Sequence, residues 1–239
     1  MPVWHEALAG LSENARPQVA GVVLEQHPDR PRLYMQWQQM GWPLMWDPFN
    51  LLELSAVPVT YLIDPAGRVV LVQPPIDRVD DVAARLREAA GRWSDEMAVE
   101  PGPVYPPVSS KDPGPGAAGP ELADHAISTS LWRGDDGLDE AVSFFRRALE
   151  QTDDPVRWFQ LGVALRMRYD SPRRRPADFS AAVEAWSHAL AIDPNQYIWR
   201  RRLQQYGPRL AKPYPFYDWI PVAREEIEGR GDTPVALAV

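Results

Sequence analysis

The stretch "VEPGPVYPPVSSKDPGPGAAGPE", Val99 to Glu121, constrains this chain more than any other. Proline supplies no backbone N–H donor, and glycine loses the most freedom when ordered, so such a run is a poor helix and a poor strand. Read as an extended linker over 96–120, it divides the chain into two units. Proline is 26 of 239 residues, about twice ordinary usage, and much of the excess lies here.

Before the linker the pattern alternates between helix and strand types. "MPVWHEALAGLSE" has apolar residues at helical spacing, "VAGVVLEQ" reads as a strand, and "RPRLYMQWQQMG" is helical again. "WPLMWD" reads as a short strand, "PFNLLEL" as a helical turn, and "VTYLID" and "RVVLVQ" as two strands joined at "PAG". "DRVDDVAARLREAAGRW" closes the unit as an amphipathic helix. Alternating elements of this kind predict an α/β layer arrangement.

After the linker the pattern is helical throughout. Ala141, Phe145 and Ala148 in "LDEAVSFFRRALEQTDDP" correspond to Ala182, Trp186 and Ala189 in "FSAAVEAWSHALAIDPN". Small residues either side of an aromatic let two helices approach closely, so these are two copies of one unit. "ELADHAISTSLWRG" supplies the upstream helix of the first copy, and "NQYIWRRRLQQYG" a helix that covers the end of the array.

Composition removes several function classes. With no cysteine, disulfides, thiolate metal sites and thiol catalysis are excluded, and the four histidines lack ligand spacing, so no metal or other cofactor is expected. A net charge of −8 argues against broad nucleic-acid affinity. The arginine runs 173–175 and 200–202 read as a solvated loop and as a helix on which three successive residues cannot share a face. No apolar run reaches the roughly 18–20 residues of a membrane helix, and the start lacks a secretory pattern. A cytoplasmic location is expected, provided Met1 is the true start.

The helical half resembles the tetratricopeptide repeat: Trp158, Leu161 and Gly162 match its first helix, and Ala182, Trp186, Ala189 and Pro194 its second. The departure is the insertion "YDSPRRRPA" between them, where the family has a tight turn. The resemblance implies a groove that recruits a protein or peptide partner, with Phe159 and Arg166 as groove residues. The repeats span 121–228 with a capping helix, and a disordered tail is expected over 229–239.

The first half, 1–95, resembles the thioredoxin superfamily, in its redoxin and thiol-disulfide oxidoreductase branch. "SAVPVTYLIDPAGRVV" is similar to the family's cis-proline hairpin. The resemblance implies a substrate edge at Val57, Pro58 and Thr60, and a central strand leading to Cys-x-x-Cys that is absent here, which leaves the sheet incomplete. Either that strand lies upstream of Met1 in a longer product, or the gap is closed by rearrangement or by a partner. Glu25 and His27, at a strand's carboxyl end, form a polar site of the kind that serves ligands in α/β sheets, or else a polar loop capping the next helix.

The expected fold is thus an α/β thioredoxin-like domain with an incomplete sheet, followed by an all-α tetratricopeptide-type array. The expected function is partner binding without catalysis by this chain. The alternative is an assembly scaffold in which the first domain is purely structural.

Overall fold

A computed structural model describes residues 18–63, 67–72, 112–205 and 217–237, the side chains of residues 70 and 71 excepted. The helices expected over Met1–Glu13 and Asp77–Trp93, the turn residues 64–66 and the body of the linker lie outside these. The described chain is mostly helical with two small sheets. Its elements are β1 (Gly21–Val23), α1 (Asp29–Trp37), β2 (Leu44–Trp46), β3 (Tyr61–Ile63), β4 (Val69–Val72), α2 (Gly119–Trp132), α3 (Leu138–Gln151), α4 (Pro155–Asp170), α5 (Asp178–Ile192), α6 (Tyr197–Gln204) and α7 (Trp219–Gly229).

β1 and β2 are parallel, with Gly21 opposite Leu44 and Val23 opposite Trp46, and α1 is the crossover that a parallel pair needs. β3 and β4 are antiparallel, and a register shift at Leu62/Ile63 sets Ile63 opposite Val69 and Tyr61 opposite Val72. Among the described residues β1 pairs only with β2 and β3 only with β4.

The helices pair as the repeat pattern predicts, α2 with α3 and α4 with α5. Ala141, Phe145, Ala148, Ala182, Trp186 and Ala189 are all buried in one apolar core. Gly162 is required by this contact. A methyl group there would lie 2.4 Å from Trp186 Nε1, well inside van der Waals contact, so only a bare Cα lets α4 meet the indole. Trp186 Nε1 donates to the Phe159 carbonyl at 3.1 Å, which fixes the ring against α4. Asp154 caps α4 by accepting from the Val156 N–H at 2.8 Å, with Pro155 at the first helical position.

The insertion between α4 and α5 is bound to the preceding repeat. Arg168 and Asp178, both buried, form a two-bonded pair at 2.6 and 3.0 Å, and Arg168 also reaches Asp139 at 2.9 Å. Arg175 meets Asp139 and Arg173 meets Asp136, each at 2.6 Å. Two of the three arginines expected in a solvated loop are therefore exposed but ion-paired.

Two boundaries need correction. The linker expected to run to 120 ends earlier, because α2 begins at Gly119, where Pro120 suits a helix's first turn and Glu121 accepts from the Ala118 N–H at 3.2 Å. Just before it, the Gly114 carbonyl accepts from Arg147 and the Ala117 carbonyl from Gln151, so residues 114–117 lie against α3.

The tail expected to be disordered from 229 is ordered through 237. Gln36 donates to the Thr233 carbonyl at 2.8 Å and accepts from the Val235 N–H at 2.9 Å, and Arg230 bonds the carbonyls of Gln36 and Trp37. α7 packs on α1. Trp219 stacks on Trp37 at 5.9 Å and meets Tyr34 edge-on at 5.4 Å, while Trp37 Nε1 donates to Glu226 at 2.6 Å.

Candidate functional site: the junction of the two halves

The carboxyl ends of β1 and β2 run into the helical array. Between β2 and residue 54 the backbone is held by two short polar side chains. Asp47 accepts from the Leu51 N–H at 2.7 Å. Asn50, at φ 57°, accepts from the Leu54 N–H and donates to the Leu54 carbonyl. This turn directs Phe49 into the array, where it is fully buried with its ring centre 6.0 Å from that of Phe145.

Opposite stand α4 and α6. Phe159, Val163, Arg166 and Asp170 recur at i, i+4, i+7 and i+11 along one stripe of α4. On α6, Ile198, Trp199 and Arg202 form the buried face. Arg202 is only 1% exposed, and it donates to the Leu24 carbonyl at 2.7 Å, the Pro48 carbonyl at 3.1 Å and the Gln26 side-chain oxygen at 2.5 Å. Its guanidinium also lies 5.5 Å from the centre of the Phe159 ring. A buried guanidinium is tolerable only with its donors engaged, and here two strand ends supply the acceptors. Gln26 completes the contact by donating to the Val163 carbonyl at 3.4 Å.

Beside this lies a polar cluster. Glu25 receives Arg30 at 3.4 Å and the Tyr217 hydroxyl at 2.9 Å, and Arg30 donates to that same hydroxyl at 2.7 Å. His27 Nδ1 is 3.7 Å from Asp170, which also binds Arg166 at 2.8 Å. Burial lowers the His27 pKa from its ordinary 6.5, helped by the cations Arg30 and Arg166 and opposed by Asp170 and Glu25. Burial likewise raises the Asp47 carboxyl, against the backbone N–H groups that hold its anion.

Glu25, His27, Phe159 and Arg166, predicted as two separate sites, therefore meet at one junction. Phase along the helix distinguishes them: Phe159 is fully buried and stacks on Trp199 at 5.5 Å, so it presents no surface to an outside ligand. Arg166 is buried and ion-paired with Asp170. The groove expected to receive a partner is filled by this chain's own residues 24–27 and 47–50.

Val57, Pro58 and Thr60 lie on the approach to β3. The Val57–Pro58 peptide is cis, Val57 is 45% exposed and Pro58 is exposed, while Thr60 is half-buried. Trp37, Trp42 and Trp46 have separate surroundings. Trp37 stacks on Trp219, and Trp46 Nε1 donates to the Glu25 carbonyl at 2.7 Å. Trp42 Nε1 would lie 3.7 Å from a methyl group on Gly21.

Sequence reasoning missed Arg202, Gln26, Phe49, Asp170 and Tyr217. The signal for Arg202 was available, since it falls at i+3 and i+4 from Trp199 and Ile198, but a run of three arginines masks that phase. Among the described residues no group of three or more His, Asp or Glu is placed to hold a metal ion. No known protein family, curated protein or solved structure matches the chain.

Proposed function

We propose that this chain is a protein-interaction module without catalytic chemistry of its own: a thioredoxin-like half carried on a tetratricopeptide-type array, offering a strand edge to an extended segment of a partner protein. The observation that carries the reading is the β3–β4 hairpin. Cross-strand partners share a face, and the register shift brings Tyr61, Ile63, Val69 and Val72 onto one side, where all four are exposed, Ile63 by 54%. Among the described residues each strand of the two small sheets pairs on one side only, and exposed Val57 and Pro58 lead into the other edge of β3. An added strand would draw hydrogen bonds from such an edge and specificity from the apolar face. The redox family that the first half resembles works through paired cysteines, and without cysteine this chain lacks thiol exchange.

A second reading, an assembly scaffold whose α/β half is purely structural, is favoured by the junction, since that half is built into the array through Arg202 and Phe49.

Selection from a displayed peptide library on the full chain tests the first reading. The expected binders are extended, alternately apolar peptides whose affinity falls at least about tenfold against Ile63→Asp, a change at an exposed site that leaves the fold intact. Binders indifferent to both Ile63→Asp and Val57→Asp would exclude the strand edge, and no enrichment at all would favour the scaffold.

A further inference from the structure

The stripe of α4 that sequence reasoning offered to an outside partner is occupied from within, and the nature of that contact says what else fits it. Arg202 reads main-chain carbonyls, those of Leu24 and Pro48, which every extended segment presents. Beyond the backbone the contact asks for one carboxamide, Gln26, and one deep aromatic anchor, Phe49. Leu24 and Leu51 pack half-buried against the same core, and polar groups surround them: Gln26 to the Val163 carbonyl, and His27 beside Asp170 and Arg166. The occupying residues all precede residue 73, and the array begins at Gly119. The intervening chain is proline-rich over 99–111 and long enough for the strand ends to leave while the helix pairs stay closed.

We propose that this junction is an autoinhibitory latch. The α4–α6 face is a receptor for an extended peptide that offers backbone carbonyls to Arg202 and a phenylalanine to the pocket beside Phe145, and residues 24–27 and 47–50 hold it closed in cis. Its surface is separate from the β3 edge, so the latch stands or falls independently of the strand-edge reading. Apparent affinity for an outside peptide scales with the open fraction, so a latch closed more than about nine-tenths of the time weakens binding on the order of tenfold or more. A change that removes the internal anchor without touching the receptor restores that affinity.

The probe is a fluorescein-labelled peptide of residues 44–54, "LMWDPFNLLEL", titrated by anisotropy against the full chain. Phe49→Ala in the protein is expected to bind it at least about tenfold more tightly than the unaltered chain does, and adding Arg202→Ala is expected to remove the gain. Equal binding to both proteins would overturn the proposal, as would no binding to a Phe49→Ala chain whose far-ultraviolet dichroism shows an intact array. Should Phe49→Ala fail to fold, native-state hydrogen exchange on the unaltered chain decides. The guanidinium protons of Arg202, which bond the Leu24 and Pro48 carbonyls across the junction, are expected to exchange through an opening that leaves the amides of α4 and α5 protected. Exchange of all these protons at one common opening energy would overturn the latch.

Discussion

Gly162→Ala discriminates sharply because two physical effects on it have opposite signs. In an exposed helix the change is stabilising by about 1 kcal/mol, from helix propensity alone. Here the added methyl lies 2.4 Å from Trp186 Nε1 and 2.5 Å from Cδ1, so the indole must retreat by roughly an ångström to reach ordinary contact. Trp186 has no exposed surface to retreat into, and moving it breaks the bond from Nε1 to the Phe159 carbonyl. Overpacking costs about 1–3 kcal/mol and a stranded buried N–H a further 1–3. Set against the propensity gain, the net loss is about 3 kcal/mol, or roughly 6–12 °C in Tm for a chain of this size. Urea unfolding followed by tryptophan fluorescence measures it. Trp186→Phe in the same chain, which shortens the ring, is expected to recover part of the loss, giving a coupling energy above about 0.5 kcal/mol. A Gly162→Ala chain as stable as the original, or more stable, would refute the close α4–α5 contact.

Asp178→Asn leaves Arg168 buried with half its pairing and is expected to cost about 3–5 kcal/mol in urea unfolding; a cost under 1 kcal/mol would mean the pair is open to water. His27 gives a pH dependence. Its folded pKa lies below the ordinary 6.5, so on acidification the unfolded chain takes up the proton first. Its contribution to stability is therefore complete above pH 6.5 and declines as the pH falls from there toward the folded pKa. The urea midpoint should drop between pH 7.5 and 5.5 in the unaltered chain and drop less in His27→Gln; identical slopes would contradict this. Trp219→Ala removes the stacked contact with Trp37 and the edge contact with Tyr34, worth about 0.5–1.5 kcal/mol each. Tryptic cleavage after Arg224 and Arg230 is expected to accelerate, and an unchanged cleavage rate would show that α7 is held by other contacts.

How much of this could be read from the sequence follows the range of the interactions. The Ala-aromatic-Ala spacing of α3 and α5, and the glycine facing Trp186, are visible because a helix repeats every 3.6 residues and its partner has the same period. The start of α2 was hidden by composition: Pro120 and Glu121 are helix-starting residues, but they sit at the end of a proline-glycine run and average into it. The polar residues at the end of β1 stood out, since carboxyl ends of parallel strands are where chain and ligand meet. What meets His27 is Asp170 of α4 and what meets Glu25 is Tyr217, each more than 130 positions away, and no local period encodes such pairings. By the same limit, nothing local in α7 names Trp37 and Tyr34 as the residues that receive Trp219.

The central claim is that the two halves are joined through Arg202 on the ends of β1 and β2. Because the chain has no cysteine, two can be introduced at exposed sites, Met45→Cys on β2 and Glu184→Cys on α5, and spin-labelled without competition. Pulsed dipolar spectroscopy at pH 7.5 is expected to give one narrow distance distribution, which broadens when Arg202→Ala is added. A broad distribution in the unaltered background, or a narrow one that survives Arg202→Ala, would contradict the account.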